Sequence, residues 1–203
     1  MQYGRRWWRP VMVAAMICGL ALAGGCQATK VATSQAAATQ PMSAGEMAAL
    51  REVLPGMAKA HGEKKQLAWY AGSILRPVDP VFEPFFRTMG EKHKELLTQL
   101  QAWATRHNFD LKYSYPDTMD GAARKLDEAR QEVVVRGANQ ADFQRIILVQ
   151  MYSEYEWEIC MIKALQPKVT DAGLQDYLAK SLAVHEAGAK EIDGLLKKYQ
   201  LTK

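Results

Sequence analysis

Cysteine is almost missing from this 203-residue chain, which has three, at Cys18, Cys26 and Cys160. Two of them fall within the first 26 residues, so the rest of the chain holds one thiol. That excludes a disulfide framework and any all-cysteine metal site. Also missing are a phosphate-cradling glycine loop, a nucleophile elbow, a His-Glu-x-x-His pair and a Cys-x-x-Cys-His haem attachment. Nucleotide-driven, serine-hydrolase, metallopeptidase and c-type haem chemistry go with them, and no catalytic residue can be named. No strand signal and no internal repeat interrupts the helical periodicities. A true surplus of charge is lacking too. The formal net charge is +4, but Arg5, Arg6 and Arg9 sit in a segment that reads as cleaved. Without them 26 basic residues become 23 against 22 acidic ones. No basic patch with interleaved aromatics survives, so nucleic acid is not an expected partner.

What is present begins with an address. Met1 to Pro10 is short and basic, and Val11 to Ala23 is apolar with small residues at its end. This is a secretory signal, too short to span a bilayer. It closes as Leu22-Ala23-Gly24-Gly25-Cys26, which resembles a bacterial lipobox, with Ala23 where leucine is usual. Residues 1–26 are therefore expected to be a lipoprotein-type signal with Cys26 acylated. The other reading is ordinary cleavage after Ala23 and a soluble periplasmic protein. Gln27 after the cysteine resembles lipoproteins sent to the outer membrane, facing the periplasm. Arg5-Arg6 faintly resembles a twin-arginine signal, but a plain basic n-region accounts for it. Residues 27–45, rich in Ala, Thr, Ser and Gln, cannot bury a core and are expected to be a disordered tether.

The remainder, 46–203, reads as one all-α domain. A first helix is expected to break or kink at Pro55-Gly56 and to resume from Met57 towards Leu75. A turn around Asp79-Pro80 leads to the second, Val81 to about His107. Its buried stripe is Phe82, Phe85, Phe86, Met89, Leu96, Leu97, Leu100, Trp103 and Ala104, with His93 inside it. A loop over 108–120 precedes a shorter helix. The third long helix, Asp142 to Leu165, carries Phe143, Ile147, Met151, Met161, Ile162 and Leu165. The last, capped by Asp171, carries Leu174, Tyr177, Leu178, Ser181, Leu182, Ala189, Ile192, Leu195 and Leu196, with His185 in the stripe. Short connections 1–2 and 3–4 and a longer 2–3 predict a four-helix bundle with an extra short helix between helices two and three.

Glu154 and Glu158 fall on the stripe of the third helix, four residues apart. Inward carboxylates need partners, because a lone buried charge costs several kcal/mol or protonates. Glu154, Glu158, His93 and His185 can share one level of the core. Glutamate and imidazole from facing helices are transition-metal ligand types, so these four are the candidate metal residues. No Glu-x-x-His occurs, which argues against a dinuclear centre. The competing expectation has no cofactor: a buried network in which Lys64 answers the glutamates and Tyr70, Tyr152 and Tyr155 offer hydroxyls. His61 and His107, near helix ends, are expected to be solvated.

Phe85-x-x-x-Met89-x-x-x-His93, then Leu100, Ala104 and Asn108-Phe109-Asp110-Leu111, resembles the ferritin-like family catalogued as domain-of-unknown-function 4142. Gly137 before Asp142-Phe143, and Ala179-Lys180-Ser181-Leu182, continue the likeness over roughly residues 57–197. Among histidines only His93 matches by position; Tyr155 stands where the family tends to carry one, and His185 is about a turn early. The resemblance implies an exported bacterial bundle and no reaction. The expectation is thus a lipid-anchored envelope protein with a binding or structural role, for example in envelope stress. A metal-binding or metal-dependent redox protein is the first alternative. A partner-binding module using the Tyr113-Ser114-Tyr115-Pro116 loop is the second.

Overall fold

A computed structural model of the chain describes residues 42–72 and 78–201. The signal, Cys26, the tether up to residue 41 and residues 73–77 before the Asp79 turn lie outside the described residues. Every regular element among the described residues is helical: α1 (Ala44–Lys64), α2 (Leu67–Ala71), α3 (Glu83–Arg106), α4 (Met119–Gly137), α5 (Gln140–Leu165) and α6 (Ala172–Leu201), with a 3₁₀ turn at Gln166–Lys168. None of these helices is long and apolar enough to cross a membrane.

Local chemistry sets the boundaries. Ser43 Oγ accepts from the Glu46 N–H at 3.1 Å and starts α1, so helix begins inside the stretch expected to be tether. The Glu46 carboxylate is itself buried and accepts from the Thr170 N–H at 2.8 Å, pinning this end of α1 to the α5–α6 connection. Thr118 caps α4 and Asn139 caps α5 through their side-chain oxygens, as serine, threonine and asparagine do at N-caps. Asp171 Oδ1 accepts from the Leu174 N–H at 2.7 Å and from the Trp103 indole at 3.0 Å. One carboxylate thus opens α6 and ties it to α3. Contrary to expectation, α1 runs through Pro55. The proline leaves the carbonyl of Arg51 without its helical partner, and Arg51 is exposed, so water can take that bond.

The four long helices α1, α3, α6 and α5 meet pairwise: α1 with α3 and α5, and α6 with α3 and α5. Their buried residues form two apolar clusters. One holds Leu50, Leu54, Met57, Leu100, Trp103, Ile162, Leu165 and Leu178. The other holds Phe82, Phe85, Phe86, Met89, Leu148, Met151, Tyr155 and Ile192. On each helix the step from one cluster to the other passes a polar side chain: His61 and Lys64 on α1, His93 on α3, Glu158 on α5, Ser181 and His185 on α6. All six are buried. The core is two apolar halves separated by one polar layer.

Two glycines allow the helices to close around that layer. A Cβ at Gly188 on α6 would overlap the Tyr155 ring and the Met89 methyl. At Gly90 on α3 it would overlap the backbone nitrogen of Ala68 on α2. A methionine tip can move, whereas helix backbone cannot without carrying its neighbours. Gly90→Ala is therefore expected to lower the urea midpoint by the equivalent of about 1–3 kcal/mol, the usual cost of overpacking. An unchanged midpoint would mean that α2 does not pack on α3 at this distance.

Candidate metal centre

Three imidazoles from three helices converge in the polar layer. One ring nitrogen from each of His61, His93 and His185 lies within 4.8 Å of those of the other two, and all three side chains are fully buried. His61 Nδ1 and His93 Nδ1 are 3.0 Å apart. Two nitrogens bound to a single zinc-sized ion at about 2.0–2.1 Å and near-tetrahedral angles sit roughly 3.0–3.4 Å from each other.

The ring nitrogens on the far sides are all held. His61 Nε2 is 2.9 Å from the Tyr177 hydroxyl, and His93 Nε2 is 2.6 Å from the Tyr155 hydroxyl. His185 Nδ1 donates to the Ser181 carbonyl at 2.6 Å, one helical turn back. Burial pushes both tyrosines above their ordinary pKa, so these partners are hydroxyls and not phenolates. Metal-ligating histidines are oriented in this manner by an outer partner on the second nitrogen. The inward atoms are then His61 Nδ1, His93 Nδ1 and His185 Nε2.

A carboxylate adjoins the group at His185. Glu158 Oε2 faces His185 Nε2, and neither atom has a further hydrogen-bond partner. Glu158 Oε1 accepts from Lys64 Nζ at 2.9 Å, and Lys64 also meets Glu154 at 2.8 Å. Burial alone would raise the Glu158 carboxyl; Lys64 and His185 outweigh it and hold it well below the ordinary carboxylate range. Burial likewise pulls at the Lys64 ammonium, and Glu158 with Glu154 more than compensates, raising it. Desolvation lowers His61 to about 3 and, together with the neighbouring His61 ring, lowers His93 to about 2. Both are neutral imidazoles with a lone pair to give.

Imidazole nitrogen suits zinc, copper, iron and nickel, and three imidazoles make a three-donor set for a single ion. Without an ion the layer can still be satisfied. His61 Nδ1–H then donates to His93 Nδ1, Tyr177 donates to His61 Nε2, and His93 Nε2–H donates to Tyr155. Loading an ion requires the His61 proton to leave Nδ1, so the tautomer of His61 separates the two states.

Of the four residues proposed from sequence, the structure brings Glu158, His93 and His185 together. Glu154 stands one turn away at the rim, half-exposed at 50%, bound to Lys64 and not to any histidine. The third imidazole is His61, which was expected to be solvated and is 0% exposed. Its signal was available: Leu50, Leu54, Met57, His61 and Lys64 continue one stripe if the helix is not broken at Pro55. His107 stacks on Trp103 and approaches Asp171 at 3.6 Å, away from the layer. Cys160 is exposed.

From the outside, a groove of about 250 Å³ between α1, α4 and α5 reaches Glu158, lined among others by Lys59, Glu63, Tyr113, Arg124, Glu154 and Trp157. Tyr113 leans on this side of α1, with Lys59 Nζ 5.5 Å from its ring centre. Comparison of the chain with protein-family models, curated proteins and solved structures finds no match.

Proposed function

We propose that this is a lipid-anchored envelope protein whose helical domain, a ferritin-like four-helix bundle with α4 as its extra helix, holds one divalent transition-metal ion. The ligands are His61 Nδ1, His93 Nδ1 and His185 Nε2, with the Glu158 carboxylate beside His185. The observation that carries this reading is the convergence of three buried imidazoles, one ring nitrogen of each within 4.8 Å of the other two, with His61 Nε2 and His93 Nε2 on tyrosine hydroxyls and His185 Nδ1 on the Ser181 carbonyl. Only one carboxylate enters the layer, so the reading is mononuclear. Attachment through Cys26, a periplasmic setting and membership of the ferritin-like family catalogued as domain-of-unknown-function 4142 belong to the same proposal. They rest on the lipobox and on the Phe85, Met89 and His93 spacing.

A second reading is favoured by a separate observation. Lys64 bridges Glu154 and Glu158, and Glu158 also faces His185, so the ionic side chains of the layer answer one another. Such a layer is self-contained and would serve to fix which helix faces meet. Cobalt(II) titration of chelator-stripped protein separates the two. The metal reading expects saturable visible absorption of a tetrahedral cobalt site, lost in His61→Ala and weakened in Glu158→Gln. Absorption that never exceeds that of free cobalt(II) leaves the network reading.

A further inference from the structure

Helix α4 is mounted inside out. At about 100° per residue, Gly121, Arg124, Glu128 and Gln131 share one side, and Met119, Leu126 and Val133 share the opposite side. The polar side faces the domain. Lys59 Nζ binds the Glu128 carboxylate at 3.0 Å, the Arg124 guanidinium lies 5.8 Å from the centre of the Trp157 ring, and a Cβ at Gly121 would strike the Pro116 carbonyl. The apolar side faces out. Met119, Leu126 and Val133 are 89%, 73% and 71% exposed, and Ala122, Ala129 and Val134 beside them are exposed as well. Met119, Leu126 and Val133 repeat every seven residues with alanine between them. That is the seam of a helix pair rather than the face of a solvated helix.

We propose that this seam pairs with the same helix of a second copy, antiparallel, about a two-fold axis passing between Glu128 and Ala129. The charges single out this occupant and this register. Lys125 and Glu132 flank one edge of the stripe and Arg130 the other, while Asp127, further round, accepts from the Gln131 amide at 2.7 Å. In an antiparallel two-fold pair each edge meets its own copy. The stated register sets Lys125 against the partner's Glu132 and, by symmetry, Glu132 against the partner's Lys125, so that edge is complementary twice over. In a parallel pair each edge meets the partner's opposite edge, which sets Lys125 against the partner's Arg130, two like charges. Four basic and four acidic residues balance along α4, which gives it no cationic face for an anionic lipid surface. A helix pair of this length buries on the order of 1,000 Å², at the lower limit of specific interfaces, so the dimer is reversible.

Cysteine crosslinking of the full-length chain tests this, with exposed Cys160 changed to serine and a short bismaleimide as reagent. Ala129→Cys places the two thiols beside the axis, and crosslinked dimer should be the main product. Ala122→Cys places them about 20 Å apart along the helices and should give only the background of the Cys160→Ser parent. Leu126→Lys, on an exposed surface where folding does not depend on it, should abolish the Ala129→Cys product. Lys125→Glu should reduce it, and adding Glu132→Lys should restore it. Equal crosslinking at 122 and 129, or none above background at 129, overturns the proposal. So does a product indifferent to Leu126→Lys.

Discussion

Replacing Lys64 with methionine is expected to destabilise the metal-free protein by about 3–5 kcal/mol, the cost of stripping a buried charge of its partner. Glu158 Oε1 loses the 2.9 Å contact to Nζ, and the apolar clusters on both sides of the layer offer no polar replacement, leaving only water from the groove. Glu154 loses a contact too, but it is half-exposed and water replaces the lysine there. The effect thus falls almost wholly on Glu158. Metal should then reverse it. An ion on the three histidines, beside Glu158, supplies the missing positive charge, and a ligand at a hundred times its Kd adds about 2.7 kcal/mol. Lys64→Met is also expected to bind the ion more tightly than the parent, because a competing cation has left the same carboxylate. Urea midpoints with and without zinc, in both proteins, measure the whole cycle. An equal loss of stability with no rescue by zinc would place Glu158 in a purely structural network.

Acid is expected to unfold the metal-free domain steeply, starting near pH 6.5. His61 and His93 ionise near 6.5 in an unfolded chain, but at about 3 and about 2 in the folded one, because burial disfavours their charged forms. Between those values the unfolded chain takes up protons that the folded chain refuses. Stability is therefore full above 6.5 and falls as the pH drops, by about 1.4 kcal/mol per pH unit for each histidine. Glu158 adds to the same trend lower down. Its folded carboxyl is held below the ordinary range, so the unfolded chain protonates first. Lys64 works at the other end of the scale. Its raised pKa contributes stability that is complete below about 10.5 and is lost only as the pH rises past its folded value. Urea unfolding at intervals from about pH 7 to pH 4 should show the decline, and His61→Gln should flatten it by about one histidine's slope. A parent whose stability does not change over that range would mean that the rings are solvated or already charged.

Much of the fold could be read from the residues alone, and the reasons are visible helix by helix. Every residue of the α3 stripe, Phe82 through Ala104, is buried as its spacing requires. That helix has large apolar side chains on one side and charges on the other, so its phase is unambiguous. The α6 stripe is similar, with Leu182, Leu195 and Leu196 only partly buried at its edges. Helix α5 misled because it is apolar on more than one side. Ile146, Ile147, Leu148 and Val149 offer several phases, and the one chosen from sequence favoured Glu154. The packed phase instead buries Leu148, Met151, Tyr155, Ile159 and Ile162, leaving Glu154 at the rim and Glu158 inside.

The candidate site was half legible for a related reason. His93 and His185 lie within unbroken stripes, so burial follows from periodicity. His61 was hidden by Pro55, which reads as a break and resets the phase of everything after it. It was hidden also by its position near the end of α1. That helix ends halfway up the core, with α2 continuing along α3, so its last turn is interior. The roles of Tyr177 and Tyr155 were not legible at all. Which hydroxyl meets which imidazole depends on interhelix register, and that is a property of the packed layer and not of any single helix.

The claim that the layer is a metal site is tested most directly by elemental analysis of the full-length protein, purified without chelator or metal-affinity resin and then stripped and retitrated. The account expects near-stoichiometric transition metal that is lost in His61→Ala and in His185→Ala but retained in Glu154→Gln. That pattern would set the buried layer apart from the exposed carboxylates. Protein that carries no metal as purified, and takes up none on retitration at neutral pH, would contradict it and leave the three histidines as a structural network.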